Sequence, residues 1–244
     1  MERKKIITGR NPVFEYLKSW DSSNKGEVHV SSSAHGKIIG DIINLAKSKK
    51  IKVLQEDKDF FKKISSSSSH QGVALYVHIK NEKSDPDSIL KKIFSEKGVV
   101  LLLDQITDPH NLGSIIRSAE ALGCGAVVLP RNNSADINET VIKASAGATA
   151  YMEIINISNV AQFLDQLKKD GFWIVGTSDQ GTVNINKLSD IRPACLIIGS
   201  EGKGMRRLTE EKCDYIVSIP LKGKISSLNA SVAAGIALYE ILKD

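Results

Sequence analysis

The 244-residue sequence is 41% hydrophobic and 25% charged, an ordinary balance for a globular protein that argues against a disordered chain. Apolar runs such as Val99 to Leu103 are far too short to cross a bilayer, and the charged start, Met1-Glu2-Arg3-Lys4-Lys5, is followed by no apolar segment of the signal-peptide kind. A net charge of +5 and a pI near 9.0 permit a polyanionic partner without requiring one.

The first eighty residues alternate helix-like and strand-like segments. Asn11-Pro12 predicts a helix start, with Asn as cap and Pro at the first helical position, and Val13, Phe14, Leu17 and Trp20 as its apolar side. Glu27–Val30 reads as a strand and Lys37–Ser48 as a helix that turns Ile38, Ile39, Ile42, Leu45 and Ala46 inward. Ile51–Gln55 reads as a strand, Asp57–Ile64 as a short helix and Val73–Ile79 as a strand. Two polar connections, Ser31 to Gly36 and Ser65 to Gly72, are surface loops within reach of a ligand, or simply solvent-exposed.

Asn81-Glu82-Lys83-Ser84-Asp85-Pro86 marks a linker. The expected division is therefore a first domain over 1–80, a linker over 81–96 that includes a helix at Asp87–Phe94, and a second domain over 97–244. In the second, the pattern becomes a regular β/α alternation. Strands are expected at Val99–Leu103, Ala126–Leu129, Met152–Ile157, Phe172–Gly176, Leu196–Gly199 and Tyr215–Ile219. Helices are expected at Leu112–Leu122, Glu139–Ala148, Val160–Lys169, Met205–Lys212 and Asn229–Leu242. All-apolar strands suit a mainly parallel sheet covered on both faces, with its ligand site beyond the carboxyl ends of the strands.

Several familiar sites are excluded. No Gly-x-Gly-x-x-Gly follows the first strand of the α/β region, and Gly199-Ser200-Glu201-Gly202-Lys203-Gly204 lacks the spacing of a nucleotide-triphosphate loop. Five scattered histidines make no metal cluster. Cys124, Cys195 and Cys213 form no Cys-x-x-Cys pair and read as buried free thiols of a reducing compartment.

Three loop-to-helix segments remain, each after an apolar strand. In Asp104 to Glu120, Asn111 sits where a helix cap belongs, while Arg117 falls off the buried stripe and leans back toward Asn111 over Gly113. A capping Asn and a solvated Arg would explain that pattern as well. In Leu196 to Met205, three glycines within six residues let backbone approach a ligand, and Glu201 stands among them; a tight turn would also account for the glycines. In Ile219 to Ala234, a Gly- and Ser-bearing loop enters an Ala-rich helix at Ser227 and Asn229, either of which would serve as a cap.

Together, Asp-Pro-His-Asn-Leu-Gly with Arg six residues after Asn, then Gly-Ser-Glu-Gly-x-Gly, then Ile-Pro-x-x-Gly with Ser-Leu-Asn-x-Ser strongly resemble the SpoU branch of the SPOUT RNA methyltransferases. Gly9-x-Asn11-Pro12-Val13 and His70-Gln71-Gly72 resemble, less specifically, the small N-terminal RNA-binding domain of the RlmB-type members. The resemblance implies an α/β fold whose C-terminal, mainly parallel sheet carries a deep trefoil knot over roughly 173–234, preceded by a small ribosomal-protein-like α/β domain. It implies S-adenosylmethionine bound by Thr177, Gly199, Ile219, Leu221, Ser227 and Leu228, Leu221 standing where many relatives have Met. Both are apolar and similar in volume.

The implied reaction moves the sulfonium methyl to a ribose 2′-oxygen, with Arg117, Asn111, Glu201, Ser227 and Asn229 as the catalytic set. Some accounts of the family make the arginine a general base. A guanidinium stays protonated in proteins, so electrostatic activation of the hydroxyl is the preferred role for Arg117, with Glu201 orienting it or the ribose. The resemblance further implies a cytoplasmic homodimer that needs no membrane or metal and acts on a guanosine of 23S ribosomal RNA. A tRNA ribose methyltransferase, a drug-resistance methyltransferase acting on ribosomal RNA and a non-catalytic ribosome-assembly factor are the alternatives. Lys203, Arg206, Arg207, Lys222 and Lys224 border the expected site and are candidates for phosphate contact. Ala230, Ala233, Ala234 and Ala237 suit close helix contact, between subunits or within the chain.

Overall fold

The computed structural model describes residues 3–64, 70–79, 85–188, 191–225 and 227–243. The first four residues of the expected linker, Asn81 to Ser84, the Ser65–Ser69 part of the second serine-rich loop, and Ser226 lie outside them. The elements run β1 (Arg3–Thr8), α1 (Arg10–Lys18), β2 (Lys25–Ser31), α2 (Lys37–Ser48), β3 (Lys52–Glu56), α3 (Lys58–Ile64) and β4 (Val73–Ile79). Then come α4 (Pro86–Ser95), β5 (Val99–Asp104), α5 (Pro109–Ala121), β6 (Ala126–Pro130), α6 (Glu139–Ala144), β7 (Ile154–Ile157) and α7 (Val160–Lys169). The last are β8 (Trp173–Thr177), β9 (Val183–Asn184), β10 (Ala194–Gly199), α8 (Arg207–Glu210), β11 (Tyr215–Ser218) and α9 (Ala230–Leu242).

The chain divides into two compact units, residues 1–83 with 137–151 and residues 84–136 with 152–244. The stretch 137–151 interrupts the β/α alternation in sequence and packs with the first unit. Sequence patterning reads through it, because a short amphipathic helix looks the same whichever sheet it covers.

The first unit holds a four-stranded sheet of order β1-β4-β2-β3, in which β2 and β3 are parallel and the other pairings antiparallel. β1 was not expected from its charged residues. It is an edge strand, where lysines are favoured because they discourage further pairing. Helix α2 buries Ile39, Ile42 and Ala46 at the spacing of one helical face, against Ile7, Val28, Leu75 and Leu17 of α1. Helix α1 begins at Arg10 after Gly9, not at Pro12 with an Asn11 cap. First-turn N–H groups lack helical partners, so proline is accommodated at the third position also.

The 137–151 segment adds Ile142 to this core. Gly147 (φ +94) crosses α1 so closely that a Cβ there would stand 2.9 Å from Glu15 Cβ and 3.1 Å from Pro12 Cα. Side chains tie the rest of the crossing. The Thr149 and Tyr16 hydroxyls are 3.0 Å apart, and the Tyr151 hydroxyl donates to the Glu15 carboxylate at 2.7 Å. The helix expected to reach Ala148 stops at Ala144, because Ala146 and Gly147 both take positive φ.

The second unit holds a seven-stranded, wholly parallel sheet of order β7-β6-β5-β10-β8-β11-β9. Every residue of β5 is buried, as a central strand covered on both faces requires. Leu90, Ile93, Leu164 and Leu167 of α4 and α7 pack on one core cluster with Val100, Leu102, Ile174 and Ile197. Each such leucine or isoleucine contributes roughly 1.5–3 kcal/mol by leaving water. Helices α5 and α9 lie side by side, and Ala230, Ala234 and Ala237 are buried within the chain. The expected Met205–Lys212 helix shrinks to Arg207–Glu210, and the short strand β9 was not foreseen.

Candidate functional site

Three loops after the carboxyl ends of β5, β10 and β11 meet. After β5, Asp108 caps α5, accepting from the His110 N–H at 3.0 Å and the Asn111 N–H at 3.4 Å, and Pro109 occupies the first helical turn. This corrects the expectation that Asn111 is the cap. An aspartate followed by proline already satisfies the helix start, which leaves the Asn111 amide for another partner. After β10, Ser200 and Gly204 pair across a tight loop with N–H···O distances of 3.0 and 2.9 Å, lifting Glu201 at its tip. Gly199 enables that turn, for a Cβ there would lie 2.3 Å from the Gly204 carbonyl carbon. After β11, the chain enters α9 at Asn229, whose Oδ1 accepts from the Ser231 N–H at 2.9 Å and the Ser231 hydroxyl at 2.6 Å.

The polar ends of these loops form one network centred on Glu201. Its Oε1 accepts from Asn111 Nδ2 at 3.3 Å, from Asn229 Nδ2 and from the Ala230 N–H at 3.0 Å. Asn229 Nδ2 also donates to Asn111 Oδ1 at 3.0 Å. The carboxylate sits at the N-terminus of α9, where unpaired N–H groups and the helix dipole favour negative charge. Its partners are amides, not a cation.

Arg117 does not join this network. It is exposed on α5 and makes no hydrogen bond or ion pair among the described residues. The expected meeting of Arg117 with Asn111 is not made as a hydrogen bond among the described residues.

Beside Glu201 lies a cavity whose lining includes Thr177, Gly199, Ile219, Leu221, Ser227 and Leu228, all six positions expected to hold a cofactor. Thr177 Oγ1 donates to the Ile197 carbonyl at 3.0 Å, which fixes that wall. Ser178, Asp179 and Ser200 line it too without having been singled out from sequence, and Ala233, expected only as a helix-contact residue, joins them. The signal for Ser178 and Asp179 was their place directly beyond the carboxyl end of β8.

A second omission is the clamp beneath the glycine loop. Asp104, wholly buried at the end of β5, accepts from the Arg206 N–H at 2.9 Å and Arg206 Nε at 2.7 Å. Arg206 is thereby held against Asp104, while Arg207 pairs with Glu211 at the surface. Lys203, Lys222 and Lys224 remain exposed and make no ion pair among the described residues.

Cys124 and Cys195 are buried and Cys213 half-buried, all as free thiols. Burial pushes the Cys124 and Cys213 thiols up to about 12 and raises Cys195 further. Among the described residues no cluster of three histidine, cysteine or acidic side chains could hold a metal ion, and no helix is long and apolar enough to cross a membrane.

The family model described as the SpoU rRNA Methylase family covers residues 98–239, and one described as RNA 2′-O ribose methyltransferase substrate binding covers residues 6–83. A Staphylococcus saprophyticus protein named as a TrmH family tRNA/rRNA methyltransferase is 38% identical over 240 residues, spanning 98% of this chain and 95% of its own. The crystal structure of the SpoU methyltransferase AviRb from Streptomyces viridochromogenes in complex with AdoMet matches 97% of this chain and 88% of its own, with TM-score 0.78 and 25% identity. The A. aeolicus TrmH/SpoU tRNA modifying enzyme matches 63% of this chain and 81% of its own, with TM-score 0.53 and 29% identity.

Proposed function

Because this chain belongs to the SpoU rRNA methylase family, we propose that it transfers a methyl group from S-adenosylmethionine to the ribose 2′-hydroxyl of a guanosine in 23S ribosomal RNA. The observation that carries the reading is the convergence of the three loops: one cavity with all six expected cofactor positions in its wall, and Asn111, Glu201 and Asn229 bonded together at its rim. The cavity suits S-adenosylmethionine chemically. Apolar Ile219, Leu221 and Leu228 offer a bed for an adenine ring, while Thr177, Ser178, Asp179 and Ser227 offer acceptors for its ammonium and ribose groups.

When bound, the cofactor supplies an electrophilic methyl on a positively charged sulfur. The chain's own task is to hold and activate a poor nucleophile. Asn111 and Asn229 orient the ribose through their amides, and Glu201 fixes both amides in place. Arg117 acts by stabilising the negative charge that develops on the 2′-oxygen. Since it has no partner among the described residues, it is available to serve the site of a second copy, and we include a homodimer in the proposal. The knot over residues 173–234 belongs to it as well; the late strand β10 lying between β5 and β8 is the sheet order such a passage needs.

Ribosomal RNA is preferred to tRNA because the first unit carries a substrate-binding match, whereas the tRNA-modifying A. aeolicus structure covers only 63% of this chain. The test is transfer of labelled methyl from S-adenosylmethionine to unmodified 23S rRNA and, separately, to unmodified tRNA. Labelling of the ribosomal RNA alone is expected. Labelling of tRNA alone would keep the chemistry and overturn the substrate.

A further inference from the structure

The first unit contains a cavity of its own, lined in part by the Ser31–Gly36 loop and by His70-Gln71-Gly72. It is formed by Arg10 at the start of α1, Ser31 at the end of β2 and Ser33 after it, Lys58 and Phe61 of α3, and His70 before β4. Its volume of about 530 Å³ falls within the range of roughly 300–1,000 Å³ typical of small-molecule sites.

The walls are fixed and their free groups are hydrogen-bond donors. Gln71 takes φ +51, a conformation few non-glycine residues adopt, and is held there by Arg10, whose N–H donates to Gln71 Oε1 at 2.9 Å and whose Nε donates to the Gln71 carbonyl at 3.2 Å. The guanidinium is thus aimed by its inner edge while its terminal nitrogens have no partner among the described residues. His70 Nδ1 accepts from the Gly72 N–H at 3.0 Å, which leaves the proton on Nε2, and its ring stacks on Phe61 with centroids 5.0 Å apart. Lys58 is exposed and makes no ion pair among the described residues; Lys62, also at the rim, is taken by Asp59 at 2.7 Å. The buried Ser31 hydroxyl is 3.0 Å from that of Ser33, tying the loop down.

A guanidinium fork, an ammonium and an imidazole N–H around a preformed hollow match a phosphate with the base attached to it. A base paired in an A-form helix cannot enter such a hollow, whereas a splayed, unpaired nucleotide can. We propose that this cavity captures one unpaired nucleotide of the RNA substrate, its phosphate on Arg10 and Lys58 and its base against the His70 side. The inference deepens the functional reading above and rests on RNA being the substrate.

The test is fluorescence anisotropy of the full chain with a labelled single-stranded oligoribonucleotide of mixed sequence, and with the same strand annealed to its complement. Lys58→Glu and Arg10→Gln are compared with wild type and with Lys91→Glu, an exposed-charge control on α4, after thermal melting has shown all four folded. The expected result is tighter binding of the single strand than of the duplex. It is weakened about tenfold in each pocket variant and not in the control, and the salt slope falls by about 0.7 for each phosphate no longer neutralised. Equal weakening in Lys91→Glu, or equal binding of duplex through the same residues, would overturn the pocket. Binding is read without catalysis, so a chain that transferred no methyl would bring down the functional reading while anisotropy still decided this one.

Discussion

The buried carboxylate of Asp104 holds Arg206 by its backbone N–H and its Nε, and Arg206 Nη2 stands 2.6 Å from the same Oδ1 in ion-pair contact, off hydrogen-bond alignment. This joins the end of β5 to the far side of the Ser200–Gly204 loop that carries Glu201. Removing Arg206 would strand a carboxylate with no exposure to water. Arg206→Ala is expected to lose about 3 kcal/mol in urea denaturation, the order seen when one partner of a buried pair is deleted. Calorimetry of the variant should show weakened S-adenosylmethionine binding. Unchanged stability would mean that Asp104 finds another partner.

Glu201→Gln keeps an acceptor oxygen but removes the charge that α9 and two amides are arranged around. The variant should bind S-adenosylmethionine as wild type does and transfer methyl ten- to a hundredfold more slowly, since a hydrogen bond to a charged group is worth about 1.5–3 kcal/mol. Steady-state kinetics with saturating cofactor would show it, and a loss confined to KM for the cofactor would speak against it.

Two glycines of the cavity loops make a contrast. At Gly199 a Cβ would sit 2.4 Å from the Met205 nitrogen, whereas at Gly223 nothing lies within 4 Å. Gly199→Ala should lose about 3 kcal/mol of stability through overpacking, together with cofactor binding. Gly223→Ala should be neutral or gain up to about 1 kcal/mol by stiffening the unfolded chain. Chemical denaturation of both variants decides.

The thiols set a pH dependence. Because burial raises Cys124 from 9.0 to about 12, the folded chain retains this proton at a pH where the unfolded chain has released it. The contribution is present in full below pH 9, and stability falls as pH rises from there toward 12. Replacing Cys124 by Ala should flatten that part of the curve. At neutral pH Cys124 and Cys195 should resist iodoacetamide until the protein is unfolded, as followed by mass spectrometry.

Much of this was legible in the residues. Lys37–Ser48, Val73–Ile79 and Val160–Lys169 have the expected bounds, because strong periodicity and clear end signals coincide there. The six cofactor positions reached one cavity because motif order encodes the strand-end loops. Cap preference is a local rule that points to Asn111 and is blind to the better cap, Asp108, three residues earlier. The Asp104–Arg206 clamp and the return of 137–151 to the first unit depend on pairings across 102 residues and more, which local pattern does not carry. Arg117 stands apart for a related reason: it is exposed and unpaired among the described residues, so its place in the site follows from the motif and not from a contact.

The most direct test of the central claim is identification of the methylated nucleoside after nuclease digestion of labelled 23S rRNA. Wild type is expected to yield 2′-O-methylguanosine. Arg117→Ala, expected to fold within about 0.5 kcal/mol of wild type because Arg117 is exposed and unpaired among the described residues, should yield it a hundred- to a thousandfold more slowly, on the order of the loss when one charge-stabilising donor is removed. Label in a base-methylated nucleoside, or undiminished transfer by Arg117→Ala, would contradict the account.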